Sequence, residues 1–154
     1  MALALAARGA QLSAQAALVL AGGRALSGNR TVGPTVIPDP MEVSVVSGGA
    51  VDARLLGLGP GCFGFVTAVP TVALRVMAPT AGLRLYVTAP SDTTLLVHSA
   101  GRWVCSDDSW GGTNPTVDLP LAPAGTYDVW VGSFRAGDQL RSTLHITQNA
   151  ARHP

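Results

Sequence analysis

Residues 103–112 read WVCSDDSWGG, which sets a cysteine, two adjacent carboxylates, a serine and two tryptophans side by side in an otherwise apolar chain. Three chemistries are open to such a stretch. His98, Asp107 and Ser109 are the residue types of a serine hydrolase, in which a histidine takes the serine proton and a carboxylate holds the histidine. All three fall within one short strand pair, however, and no G-x-S-x-G elbow occurs elsewhere, so a serine hydrolase is the remote reading. The three histidines, His98, His145 and His153, lack H-E-x-x-H or C-x-x-C partners and give no zinc spacing. The acidic set Asp92, Asp107 and Asp108, with Asn114, suits calcium instead, because a hard cation takes six to eight oxygens from carboxylates, amides and carbonyls. The competing reading is structural. Asp and Asn in loops also brace turns by bonding their own backbone.

Cys62 and Cys105 are the two cysteines of the chain. A bond between them would close a loop worth about 4 kcal/mol in the chain-entropy account. The alternative is a pair of buried reduced thiols acting as small apolar groups. Trp110, in a glycine-rich loop, and Trp130 and Tyr86, which strand alternation turns outward, are candidate ligand-binding aromatics. Trp103 sits beside Cys105 and is expected to pack against the disulfide.

These residues need strands to hold them. The chain has 18 Gly and 11 Pro in 154 residues, and its apolar pattern has a period of two. Val43 and Val45, then Val72, Leu74 and Val76, then Leu83, Leu85 and Val87 alternate with polar or small residues and stop at glycine or proline. Further strands are expected at 62–69, 93–98, 102–105, 116–119, 126–132 and 142–147, with Ser99-Ala100-Gly101 as a hairpin turn. About eight short strands without a following helix predict an all-β fold, an antiparallel sandwich of jelly-roll type. Within it Tyr127, Val129 and Val131 face the core, while Trp130, Arg75, Arg84, Tyr86 and His145 face outward.

The organisation expected is an Ala-rich signal-like or helical segment over 1–27, a Pro/Gly linker over 28–40, the sandwich over 41–148 and a tail over 149–154. Over residues 2–21 Arg8 is the one charge, the apolar centre is 14–21, and Ala21-Gly22-Gly23 offers a small-x-small cleavage site. The segment's other readings are a helix or linker belonging to a longer protein. Export places the chain outside the cell, in the periplasm or in the envelope, where a disulfide persists. Charged residues are 12% of the chain and the formal net charge is +1, so neither nucleic acid nor an anionic membrane surface is an expected partner. Arg8, Gln11 and Gln15 interrupt the early apolar stretch, and an integral membrane protein is expected only if that segment is retained as an anchor.

The succession GCFGFV (61–66), LRLYVTAPSDTTLLV (83–97), GRWVCSDDSWGGTNPTVDL (101–119), AGTYDVWVGSF (124–134) and TLHIT (143–147) resembles secreted bacterial domains of the pre-peptidase C-terminal family. The most specific part is the order D-T-x-L, W-x-C-x-D-D, N-P and G-x-Y-x-x-x-V-G. The resemblance spans about residues 40–148. It implies a small jelly-roll sandwich that is accessory rather than catalytic. Some relatives hold calcium at a loop end and present aromatic residues on an exposed sheet, which maps the ion onto Asp92, Asp107, Asp108 and Asn114, although this chain is poorer in acidic residues than they are. The function expected is therefore a non-enzymatic secreted or envelope module that binds a surface polymer or a partner protein and is stabilised by calcium. The alternative is a structural subunit of an extracellular or envelope assembly.

Overall fold

In the computed structural model, which describes residues 18–20 and 24–154, the chain forms two packed β-sheets. Eleven strands follow in order: β1 (Asn29–Val32), β2 (Met41–Val46), β3 (Val51–Asp52), β4 (Phe65–Val66), β5 (Val72–Val76), β6 (Thr80–Thr88), β7 (Thr93–Ser99), β8 (Arg102–Ser106), β9 (Thr116–Ala122), β10 (Gly125–Ser133) and β11 (Arg141–Thr147). The four-stranded sheet has the order β2-β11-β6-β9. In the seven-stranded sheet β10 is the hub. One edge of it pairs with β5 and, farther along, with β4, and the other edge pairs with β7, which carries β8.

Alternation decides which side chains enter the space between the sheets. Val72, Leu74 and Val76 of β5, Leu95 and Val97 of β7 and Tyr127, Val129 and Val131 of β10 meet Leu83, Leu85 and Val87 of β6 and Leu144 and Ile146 of β11. All are buried. The motif glycine Gly132 has a packing reason, since a Cβ there would stand 2.3 Å from Thr94 Oγ1 and 2.9 Å from Val66 Cγ1. The hairpin between β7 and β8 turns on Ala100 (φ 49°) and Gly101 (φ 74°), the paired left-handed residues of a two-residue turn whose twist suits the strands.

The all-β sandwich is the architecture the period-two pattern predicts, with eleven strands where about eight were expected. The extra ones are short or irregular. Two-residue strands β3 and β4 pair with each other and lack the length to show a period, and the expected strand over 62–69 shrinks to Phe65–Val66. The stretch 28–40, expected as linker, contains β1, which pairs in parallel with β5, and it contributes Val32 and Val36 to the core. The sheets are thus antiparallel except along β1. Proline and glycine masked a four-residue strand whose partner lies more than forty positions away. The signal-like or helical reading of residues 1–27 lies outside the described residues except at 18–20 and 24–27.

A second apolar layer covers the outer face of the larger sheet. Trp130 and Leu96 pack there with Val51, Ala53 and Val66, and Leu18, Leu56, Leu58, Trp103 and Cys105 close over them. A short 3-10 helix, Ala53–Leu56, is capped at its start by Asp52, whose carboxylate accepts from the Arg54 amide. The Cys62–Cys105 disulfide ties this covering loop to β8, with Cα atoms 4.9 Å apart.

Candidate functional site

The WVCSDDSWGG stretch is the end of β8 and the loop that leads to β9. Backbone pairing runs as far as Ser106, opposite Leu95. Beyond it Asp107 and Asp108 approach Asp92, the residue that precedes β7. One oxygen from each of the three carboxylates lies within 4.8 Å of the others. Two oxygens on opposite sides of one calcium ion stand about 5 Å apart, twice its bond length, so the spacing fits a single hard cation. Oδ1 of Asp92 and Oδ1 of Asp107 are buried and accept no hydrogen bond. A buried carboxylate oxygen without a donor is costly, and a cation would supply the missing partner.

Electrostatics agree with that geometry. Burial, reinforced by the charges of Asp108 and Asp107, holds the Asp92 carboxyl above the usual carboxylate range, with Arg135 opposing. Asp107 is raised for the same reasons, burial first and Asp108 second, against Arg54. Both shifts favour the protonated acid, and a bound cation would reverse them.

Asn114, the fourth expected oxygen donor, is hydrogen-bonded on both sides of its amide. Its Oδ1 accepts from the Thr93 hydroxyl at 2.7 Å, and its Nδ2 donates to the Ala89 carbonyl at 3.2 Å. Its own carbonyl accepts from the Ser109 hydroxyl at 2.7 Å, and Ser109 also pairs with Thr116 Oγ1 at 2.9 Å. Asn114 therefore braces the loop that carries the aspartates. Ser109 gives its proton to that brace, and His98 packs against the Trp103 ring with centroids 4.7 Å apart. The residue types of a hydrolase are present, but Ser109 is committed to the loop.

The aromatic candidates separate. Trp110 is 58% exposed, as its glycine-rich loop predicts. Trp130 does face away from the inter-sheet core, yet it is fully buried under the second layer and packs on Trp103 at 5.4 Å. As a ligand contact it is corrected to a core residue. Parity says which side of a sheet a residue takes but not whether something covers that side. Trp103 reaches the disulfide's neighbourhood through Trp130 and Cys105 in this layer.

Tyr86 also faces away from the inter-sheet core and is covered, together with Arg84 and His145, but by a different segment of the chain. All three face outward from the smaller sheet, and all are buried. Tyr86 stacks flat on His145 with centroids 4.4 Å apart, and Thr88 Oγ1 meets His145 Nε2 at 2.8 Å. Desolvation pushes the His145 pKa down against the pull of Glu42, whose carboxylate lies 3.3 Å from Nδ1. Residues 149–154, expected as a tail, lie on this face. Arg84 Nη1 donates to the carbonyls of Ala150 and Arg152, and His153 stacks on Trp110. Arg84 and His153 make contacts on this face that sequence reasoning did not single out. The one signal was the outward parity of Arg84, a lone cation facing Asp118 across the β6–β9 register.

No protein-family model and no curated protein matches the chain. Among solved structures it is similar to the pre-peptidase C-terminal domain of collagenase from Bacillus anthracis, at 13% identity and a TM-score of 0.41, over 79% of this chain and 94% of that one. It is similar to the same degree to PliG of Aeromonas hydrophila, a periplasmic inhibitor of g-type lysozyme, at 15% identity and a TM-score of 0.41, over 78% of this chain and 98% of that one. At these scores the likeness is one of overall shape and carries no activity with it.

Proposed function

We propose that the protein is a non-enzymatic accessory module of the periplasm, envelope or extracellular space, stabilised by calcium at Asp92, Asp107 and Asp108, and that it binds a partner protein or surface polymer. The observation that carries the reading is the convergence of three carboxylates at one end of the sandwich, two of them with buried oxygens that no donor satisfies. The disulfide fits an oxidising compartment. Among the described residues no helix is long and apolar enough to cross a membrane.

Calcium supplies positive charge that the three carboxylates otherwise lack. Asp92 brings its oxygen from the start of β7, Asp107 and Asp108 bring theirs from the end of β8, and the Asn114 brace fixes the distance between the two. The ion then acts as a clip across the mouth of a hairpin whose other end is closed by its turn. Water and backbone carbonyls complete the shell, as calcium sites with few carboxylates commonly require.

A thermal melt with and without calcium tests this. A ligand that binds only the folded state raises stability by mass action, about 2.7 kcal/mol at a hundredfold excess over Kd. The melting temperature rises with millimolar calcium and falls with chelator. A melt that ignores both ends the calcium reading.

A further inference from the structure

The outer face of the smaller sheet holds a segment of its own chain in the manner in which a receptor holds a peptide. Arg84 is 8% exposed and is fixed by Asp118, with Nε 2.6 Å from Oδ1 and Nη2 3.0 Å from Oδ2. That leaves Nη1 aimed across the sheet face, where it donates to the carbonyl oxygens of Ala150 at 2.7 Å and Arg152 at 3.0 Å. The imidazole of His153 lies on the Trp110 indole with centroids 4.3 Å apart and planes 12° apart. Arg84 also stands 5.3 Å from the centre of the same indole, so guanidinium and indole form one platform. The Arg152 guanidinium lies against the Tyr86 hydroxyl.

Two features mark the platform as built for recognition. Trp110 has φ 54°, a left-handed conformation that a bulky residue rarely adopts, in a loop closed by the Ser109–Asn114 hydrogen bond. Even with His153 stacked on its ring, Trp110 remains more than half exposed. Main-chain carbonyls on a preset donor supply affinity that is blind to sequence, and a ring slot supplies selectivity. A buried guanidinium aimed at two carbonyls two residues apart suits a polypeptide, since that spacing is a property of its backbone.

We propose that Arg84, Tyr86 and Trp110 form a peptide-binding site, that residues 149–154 occupy it in cis, and that an extended segment of a partner protein takes their place. The partner segment presents two backbone carbonyls two residues apart and a flat side chain, histidine or aromatic, next in line. The site goes beyond the calcium reading and does not depend on it. A tethered competitor acts at an effective concentration in the millimolar range, so a free peptide with the same contacts binds weakly until the tether's grip is loosened.

The experiment uses the 154-residue chain in chelator, so that the calcium clip plays no part. The probe is an acetylated peptide with the sequence of residues 150–154, followed by nitrogen-15 NMR of the Trp110 indole and of the amides of 149–154. In a His153→Ala chain the peptide shifts the Trp110 indole, with an affinity at least about fivefold above that for the unaltered chain, because the cis competitor has lost its ring. A peptide with alanine at the histidine position binds about tenfold more weakly. In a Trp110→Ala chain, the amides of 149–154 move to random-coil positions while those of β6 and β11 stay in place. An unmoved indole at saturating peptide in the His153→Ala chain overturns the proposal, as does equal affinity for the two chains. So does a polysaccharide oligomer that shifts Trp110 where the peptide does not.

Discussion

The two outer faces of the sandwich are covered by opposite means. Over the larger sheet lies a second apolar layer, centred on Trp130 and stapled by the Cys62–Cys105 disulfide. Over the smaller sheet lies a short peptide segment, held by a guanidinium and a stacked imidazole and underlain by Arg84, Tyr86 and His145. Apolar cover derives its strength from burial and close packing and cannot be lifted without exposing that surface to water. Polar cover exchanges its hydrogen bonds for others at small net cost. One face is therefore structural, and the other is held by contacts that an incoming peptide could replace, as proposed above.

The comparison can be broken most severely at Trp130. Replacing this fully buried ring with alanine leaves a large cavity in the second layer and is expected to cost about 3–5 kcal/mol, measured by denaturant unfolding. A loss below about 1 kcal/mol would mean that the layer contributes nothing to the fold. Next comes the staple. The disulfide spans 43 residues, and changing both cysteines to serine removes up to about 4 kcal/mol, most of it by freeing the unfolded chain. Equal melts with and without reductant would contradict this.

The carboxylate loop, set where the two regions meet, is expected to respond less and in a pH-dependent way. Asp92 and Asp107 have folded pKa values above their unfolded ones, through burial and then through the neighbouring acids. Their stabilising contribution is fully present below the unfolded carboxylate pKa, about 3.9 for Asp, and is lost as pH rises through the raised folded values. In chelator, Asp92→Asn is therefore expected to melt a few degrees above the parent at neutral pH, with the gap closing as pH falls toward the carboxylate range. Calcium reverses the order, since it stabilises the parent and not the variant. A gap that stays constant with pH would show that the carboxyl charge is not responsible.

The smallest effect is expected on the exchangeable face. Trp110→Ala, made on an exposed loop, should change stability by less than about 0.5 kcal/mol while releasing residues 149–154. Trypsin reports the release as faster cleavage after Arg152. Should Trp110→Ala prove as costly as Trp130→Ala, the contrast between the faces disappears.

Much of this was legible in the residues alone. Period-two alternation read out the inward set Tyr127, Val129 and Val131, the glycine-centred turn placed the β7–β8 hairpin, and the two cysteines admitted one intramolecular pairing. The aspartates also stood out, because carboxylates are rare in so apolar a chain. β1 was hidden, since its strand character comes from pairing with β5 and not from its own alternation. Asn114 was ambiguous for a related reason. An amide can ligate or brace, and only its neighbours decide which.

By itself the sequence determined what is local: which runs are extended, which side chains share a face of a strand and where the chain must turn. These follow from backbone sterics and from a side-chain period of two. The tertiary structure alone decided what lies over each face, because cover comes from segments remote in the chain. Trp130 and Tyr86 share one outward parity and one expected role. A distant loop made the first a core residue, and residues 149–154 lie over the second.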